Sequence, residues 1–200
     1  MEFINNKIVL IGGSFNPPTI AHEEMIKEIL KFNPKKILIL PNGNKYNVSF
    51  VNKTLIEYKD RENMCKLMME NLNIDYEVLD NENRQAFRGS YYTLQELNHP
   101  TFVMGSDCLE TLHKWINYQE LVKENNFVVF SRDLDINSMK SFLREDEYLK
   151  NYINHFEFIK LDKSDVSSSL FRKTLDKKLV NESVYDYIVN HNLYEVNHDK

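Results

Sequence analysis

Apolar runs of four to six residues alternate along this chain with stretches of helical spacing. Residues 7–11, Lys-Ile-Val-Leu-Ile, form the first run and read as a buried strand. Beyond it Met25, Ile26, Ile29 and Leu30 recur on one helical face, and Asn33-Pro34 stops that helix just before a second strand at 36–40. A strand, helix and strand in close succession predict parallel pairing with a right-handed crossover. The alternation continues with a helix over 57–72, placing Arg61 on one side and Met64, Cys65, Met68 and Leu72 on the other, and with a short strand at 74–79. A brief helix at 93–97 precedes Pro100, and further strands are predicted at 101–104, 127–130 and 156–161. A helix is expected through Leu109, Leu112 and Trp115, and a packing helix over 184–194 with Val184, Tyr187 and Ile188 on one face. Residues 135–155 are polar, with helical character read only from Leu143, Leu149 and Ile153.

Strands alternating with helices predict an α/β protein: a Rossmann-like, doubly wound parallel sheet in a single domain, with a small carboxyl-terminal helical portion. With 200 residues, 42% of them hydrophobic, one substantial core is expected and little remains for a second domain. The net charge is −5 and there is no block of five basic residues, so nucleic acid is not an expected partner and any phosphate site has to be local. Cys65 and Cys108 stand far apart without a C-x-x-C, which fits neither a disulfide framework nor a zinc cluster; a reducing cytoplasm is the expected setting. The first seven residues lack the features of a signal peptide, and no apolar run approaches the roughly 18 residues of a membrane span, so a soluble monomer or homo-oligomer without a membrane partner is expected.

The chemistry concentrates where strands end. Gly12 and Gly13 follow the first strand, and without Cβ atoms they permit positive φ and close approach of a ligand, as a phosphate-cradling turn requires. Pro17 and Pro18 delay the next helix, Thr19 is its expected N-cap, and His22 falls in its first turn, where free N–H groups and the helix dipole face an anion. Taken singly, a Gly-Gly pair or one histidine reads as an ordinary turn and a solvated side chain. Gly105-Ser106-Asp107 repeats the strand-then-glycine pattern, with Asp107 reading equally as a helix cap. Arg132 follows the strand at 127–130, as a surface turn or as a strand-end cation. Ser167, Ser168 and Ser169 offer hydroxyl and N–H donors with Arg172 one turn beyond, or form a plain N-cap beside a solvated arginine. A long loop over 41–53 leaves the second strand. Ligands bind parallel sheets outside the strands' carboxyl ends, so these segments should converge on one rim. The glycine pattern is not G-x-G-x-x-G, because Gly13 is followed by Ser-Phe-Asn-Pro, and this disfavours a hydride-transferring dehydrogenase.

From Gly13 to His22 the chain resembles the first signature of the nucleotidylyltransferase superfamily, Gly-[Ser/Thr]-Phe-[Asp/Asn]-Pro-x-[His/Thr]-x-x-His, with Thr19 at the variable first histidine. Val166 to Arg172 is similar to the second signature, [Ile/Val]-Ser-[Ser/Thr]-[Ser/Thr]-x-x-Arg. Gly105-Ser106-Asp107-Cys108-Leu109 with Trp115 and Ile116, together with Val-x-x-Tyr-Ile-x-x-x-x-Leu-Tyr from Val184 to Tyr194, resembles the bacterial nicotinate mononucleotide adenylyltransferases. The resemblance implies that His22 and Arg172 are catalytic, and that Gly12, Gly13, Ser14, Phe15, Thr19, Gly105, Asp107, Arg132, Ser167, Ser168 and Ser169 bind ATP. It implies that Asn16, Lys45, Ser90, Trp115 and Ile116 bind the mononucleotide, with Ser90 at the place of a threonine that helps hold the pyridine ring. The family usually carries Pro-Pro-His-Lys after the second strand; this chain has Asn44-Lys45-Tyr46-Asn47. Thr19 and Asn16 are the versions common in nicotinamide-preferring eukaryotic relatives.

The activity so implied is adenylyl transfer from ATP to nicotinate mononucleotide, giving nicotinate adenine dinucleotide and pyrophosphate in NAD biosynthesis. Mg²⁺ is expected on the ATP phosphates, with no metal ligands from the protein. Nicotinamide mononucleotide as the acceptor, another nucleotidylyltransferase such as a phosphopantetheine adenylyltransferase, and a non-catalytic nucleotide-binding regulator are the competing readings.

Overall fold

Val9 and Ile11 enter one hydrophobic cluster and Leu10 the other, so the strand they share, β1 (Ile8–Gly13), is buried on both sides. The computed structural model describes residues 1–44, 55–84, 87–131, 135–161 and 165–194. Among these residues β1 is joined by β2 (Lys36–Pro41), β3 (Tyr76–Val78), β4 (Thr101–Gly105), β5 (Phe127–Ser131) and β6 (Phe156–Lys160) in a parallel sheet of order β3-β2-β1-β4-β5-β6. β1 pairs with β2 from Ile8↔Lys36 to Gly13↔Pro41, and with β4 from Val9↔Thr101 to Ile11↔Val103. The chain thus runs outward to β3 and returns to the opposite side of β1. That reversal opens a crevice above the carboxyl ends of β1 and β4, the place where such sheets bind ligands.

The first helix, α1 (Ile20–Leu30), buries Ala21, Met25, Ile26 and Ile29, as its spacing predicts. The second, α2 (Tyr58–Met69), buries Met64, Cys65 and Met68, and it also buries Arg61 completely, so the expected apolar-and-polar division of this helix is corrected. α3 (Asn81–Arg84) and α4 (Ser90–Glu96) precede β4. α5 (Ser106–Thr111) follows it and continues only as a 3₁₀ turn, Leu112–Lys114; Trp115 lies beyond both, with extended backbone. α6 (Tyr118–Glu124) leads to β5. In the polar region α7 (Ile136–Glu145) forms because the Asp135 side chain accepts from the Asn137 and Ser138 amides, with Met139 and Leu143 buried beneath it. After β6 come α8 (Ser168–Thr174) and α9 (Glu182–Asn190), the latter packed through Val184 and Ile188. Tyr187 on α9 donates from its hydroxyl to Asp60 (2.9 Å) and accepts from Asn63 (2.9 Å), fastening α9 to α2. Among the described residues no helix is long and apolar enough to cross a membrane.

Candidate active site

Gly12 and Gly13 do not form a turn. They stay in β1, opposite Leu40 and Pro41, and the left-handed residue of the segment is Phe15, with φ of 45°. The expected positive φ at the glycines is therefore corrected. Space is limited but not closed there: a Cβ on Gly12 would lie a tight 3.3 Å from the Phe102 ring, and one on Gly13 would make ordinary contact at 3.4 Å with the ring of Phe15. The Phe15 side chain is buried, and its ring lies 5.0 Å from that of His22.

Thr19 is the N-cap of α1, as expected, and His22 completes the cap. The Thr19 amide donates to Nδ1 of His22 at 3.0 Å, and the Thr19 hydroxyl lies 2.8 Å from the same nitrogen. An amide N–H can only donate, so Nδ1 is an acceptor and the neutral imidazole carries its proton on Nε2. The histidine thus occupies the role that Glu or Gln has in a capping box.

A cavity of about 550 Å³ lies over the ends of β1 and β4. Gly12, Gly13, Ser14, Phe15, Thr19 and His22 line one side of it, and Gly105 and Asp107 line it at the exit of β4. Gly105, not Asp107, is the N-cap of α5; Asp107 is exposed in that helix's first turn. Ser167, Ser168 and Ser169 line the cavity from the start of α8. The Ser167 hydroxyl accepts from the Leu170 amide (3.1 Å), which makes Ser167 the cap, while the Ser168 hydroxyl donates to the Pro17 carbonyl (2.7 Å). The first and last segments singled out in the sequence are therefore bonded to each other.

Ser90, Trp115 and Ile116 also line the cavity. Trp115 is half-buried and sets its ring edge-on to Phe102 with centroids 6.2 Å apart. Ile116 is 39% exposed and closes against Gly89, where a Cβ would lie 2.9 Å from that of Ile116; with φ of 114°, Gly89 has a second reason to be glycine.

Two described residues of the expected site stand behind the lining. Asn16 is buried, and its side-chain oxygen accepts from the Tyr194 hydroxyl at 2.8 Å. Arg172 donates to the Asn16 carbonyl (2.5 Å) and to the Ser169 hydroxyl (3.2 Å), bracing the turn from its far side. Lys45, Arg132 and most of the loop expected over 41–53 lie outside the described residues.

Sequence reasoning passed over Asn42, Glu82 and Lys114, all of which line the cavity. Lys114 directly precedes Trp115, and that adjacency was its available signal. Glu82 sits in the run Asp-Asn-Glu-Asn-Arg, which reads as solvated, yet its side chain is buried and accepts from the Asn42 side chain at 3.1 Å. Burial raises its pKa to about 7, against the opposing hydrogen bonds from Asn42 and the Gly43 amide. Among the described residues, no three His, Cys, Asp or Glu side chains cluster as metal ligands. Ser14, Thr19, His22 and the α8 serines bring hydroxyls and an imidazole to the cavity wall, a set suited to an anion.

Comparison with known proteins bears on this geometry. A model of the cytidylyltransferase-like family matches residues 10–174. A protein of Acholeplasma laidlawii named "Probable nicotinate-nucleotide adenylyltransferase" is 38% identical over 196 residues, covering 94% of this chain and 97% of that relative. Among solved structures, the Plasmodium falciparum nicotinic acid mononucleotide adenylyltransferase complexed with NaAD superposes with a TM-score of 0.73 at 27% identity, covering 94% of this chain and 96% of the other. The same enzyme complexed with APC gives 0.73 at 26% identity, covering 95% and 98%.

Proposed function

As this chain belongs to the cytidylyltransferase-like family, among its nicotinate-nucleotide adenylyltransferases, and is a nucleotidyltransferase, we propose that it transfers the adenylyl group of ATP to nicotinate mononucleotide. The observation that carries this reading is one cavity holding a phosphate-type rim, from His22 and the α8 serines, and an aromatic-walled end at Trp115. The products are nicotinate adenine dinucleotide and pyrophosphate.

The mononucleotide phosphate is already an anionic nucleophile at neutral pH. Its oxygen forms a bond to the ATP α-phosphorus while the bond from that phosphorus to the bridging oxygen breaks, and pyrophosphate leaves with the electron pair. No strong general base and no covalent intermediate are needed. The chain's work is to hold two anions in line and to stabilise the charge that grows between them. His22, with its proton on Nε2, donates to that charge. Ser168 and Ser169 and the first amides of α8 hold the polyphosphate, and Arg172 adds positive potential from behind. Trp115 and Ile116 bracket the pyridine ring, and Asp107 takes the adenylate ribose. Mg²⁺, carried on the ATP phosphates, would neutralise charge on the leaving group; the anion-type donor set described above is compatible with a metal that arrives on the nucleotide.

The resemblance of the Trp115 and carboxyl-terminal segments to the bacterial nicotinate mononucleotide enzymes, and the name of the Acholeplasma laidlawii relative, support the acid acceptor over the amide. Comparison of kcat/KM for nicotinate and nicotinamide mononucleotide tests the assignment, with at least a tenfold preference for the acid expected. A tenfold preference for the amide, about 1.4 kcal/mol in transition-state binding, overturns the choice of acceptor, and absence of pyrophosphate release with either overturns the reaction.

A further inference from the structure

Arg61 lies on α2, is not itself part of the cavity lining, and is completely buried. Desolvation pulls its guanidinium below the usual arginine range. A charge so placed is retained only where its donors are used. All of its nitrogens are: Nε donates to the Ile56 carbonyl (3.2 Å), Nη1 to the Ser14 carbonyl (2.9 Å) and Nη2 to the Asn44 side-chain oxygen (2.6 Å). These acceptors are neutral oxygens from three separate segments: the exit of β1, the exit of β2 and the approach to α2.

The Ser14 contact reaches the cavity through one peptide plane. Across a trans peptide the carbonyl and the following N–H point in opposite directions. Drawing the Ser14 carbonyl towards Arg61 therefore turns the Phe15 amide away from the buried interior, on a segment whose residues line the phosphate side of the cavity. Phe15 itself has the unfavourable φ of 45°, a conformation that persists only where its surroundings over-determine it. Asn44 is held a second time, since its amide nitrogen donates to Glu57 at 3.3 Å. A fork of three fixed donors can fasten three segments at once, which a lysine ammonium at one point cannot reproduce.

We propose that Arg61 is a positioning residue of the active site: its guanidinium aims the Ser14–Phe15 peptide at the bound phosphate and registers that turn against Asn44 and Ile56. This rests on the nucleotidyl-transfer reading of the cavity. The test uses Arg61→Lys and Arg61→Gln in the full chain, with three readouts: the thermal midpoint, the Kd of MgATP by calorimetry without acceptor, and steady-state transfer to nicotinate mononucleotide below the midpoint. Both variants are expected to weaken MgATP binding at least tenfold and to lower kcat per folded molecule at least thirtyfold, with Arg61→Lys no better than Arg61→Gln in kcat. A lowered midpoint with MgATP affinity and kcat within threefold of the parent means that Arg61 only supports the fold, and overturns the proposal. Failure of both variants to fold overturns it equally, by making the guanidinium a folding requirement. If the parent binds MgATP but forms no dinucleotide, the function assigned above fails, and Arg61 is still judged on MgATP affinity alone.

Discussion

In the reaction proposed above His22 has two tasks on two ring nitrogens, and substitutions can separate them. His22→Ala removes the acceptor of the Thr19 amide as well as the Nε2 donor. Loss of a helix cap costs about 0.5–2 kcal/mol, so the thermal midpoint should fall by a few degrees. Loss of a preorganised donor to the transition state should cost on the order of 10²–10³ in kcat. His22→Glu restores a capping-box acceptor without a donor: its melt should match the parent more closely than that of His22→Ala, while kcat stays at least as low as in His22→Ala. A folded His22→Ala variant with kcat within threefold of the parent removes the residue from the chemistry. Trp115→Ala is expected to raise KM for the mononucleotide more than that for ATP, since a stacked ring is worth about 1–3 kcal/mol to a bound base. Unchanged KM values would leave Trp115 only its edge contact with Phe102.

At the scale of elements, β2 and α3 meet where Gly43 passes Glu82. A Cβ on Gly43 would sit 1.9 Å from the Glu82 carbonyl oxygen, which is backbone and cannot swing aside. Gly43→Ala should therefore destabilise by at least the roughly 1–3 kcal/mol typical of overpacking, read as a lower urea midpoint with an unchanged slope. The Glu82 carboxyl gives the junction a pH dependence. Its pKa in the folded chain, about 7, lies above the ordinary 4.5, so the cost of burying its charge is absent below the lower value and complete above the higher. Glu82→Gln should gain stability relative to the parent at pH 8, by about 3 kcal/mol at most, and show no such gain at pH 4. Melts across that range check the sign. Neither feature was legible from the sequence, because both depend on what lies opposite in space. The strands were legible from their apolar runs, as were α1, α9 and the Ser167 cap. The segment after β1 was singled out for its composition and misread in its backbone: the glycines continue the sheet and the left-handed turn falls on Phe15, an L residue that nothing in the local pattern marks. Arg61 could be placed only opposite the apolar face of its helix, because its acceptors, apart from nearby Ile56, are distant in the chain.

Across the whole molecule, the parallel sheet brings the exits of β1 and β4 to one rim, and α8 together with Tyr194 braces the segment after β1 from far along the chain. Ser168 holds Pro17, Arg172 holds the Asn16 carbonyl, and Tyr194 holds the Asn16 side chain. Tyr194→Phe should lower stability by about 1 kcal/mol for the lost hydrogen bond, and should also reduce kcat/KM although Tyr194 does not line the cavity. A drop in the melt with parent kinetics would make that bond purely structural.

The bond between Asn16 and Tyr194 spans 178 positions, and proteins are made from one end. At 5–20 residues per second, roughly 10–35 s separate the appearance of Asn16 from that of its partner. Through that interval β1, α1 and β2 can associate, but the turn between them lacks its outer supports. A nascent chain therefore carries an unbraced turn until Tyr194 has been made and folded back onto Asn16, and the activity proposed here waits on that late contact.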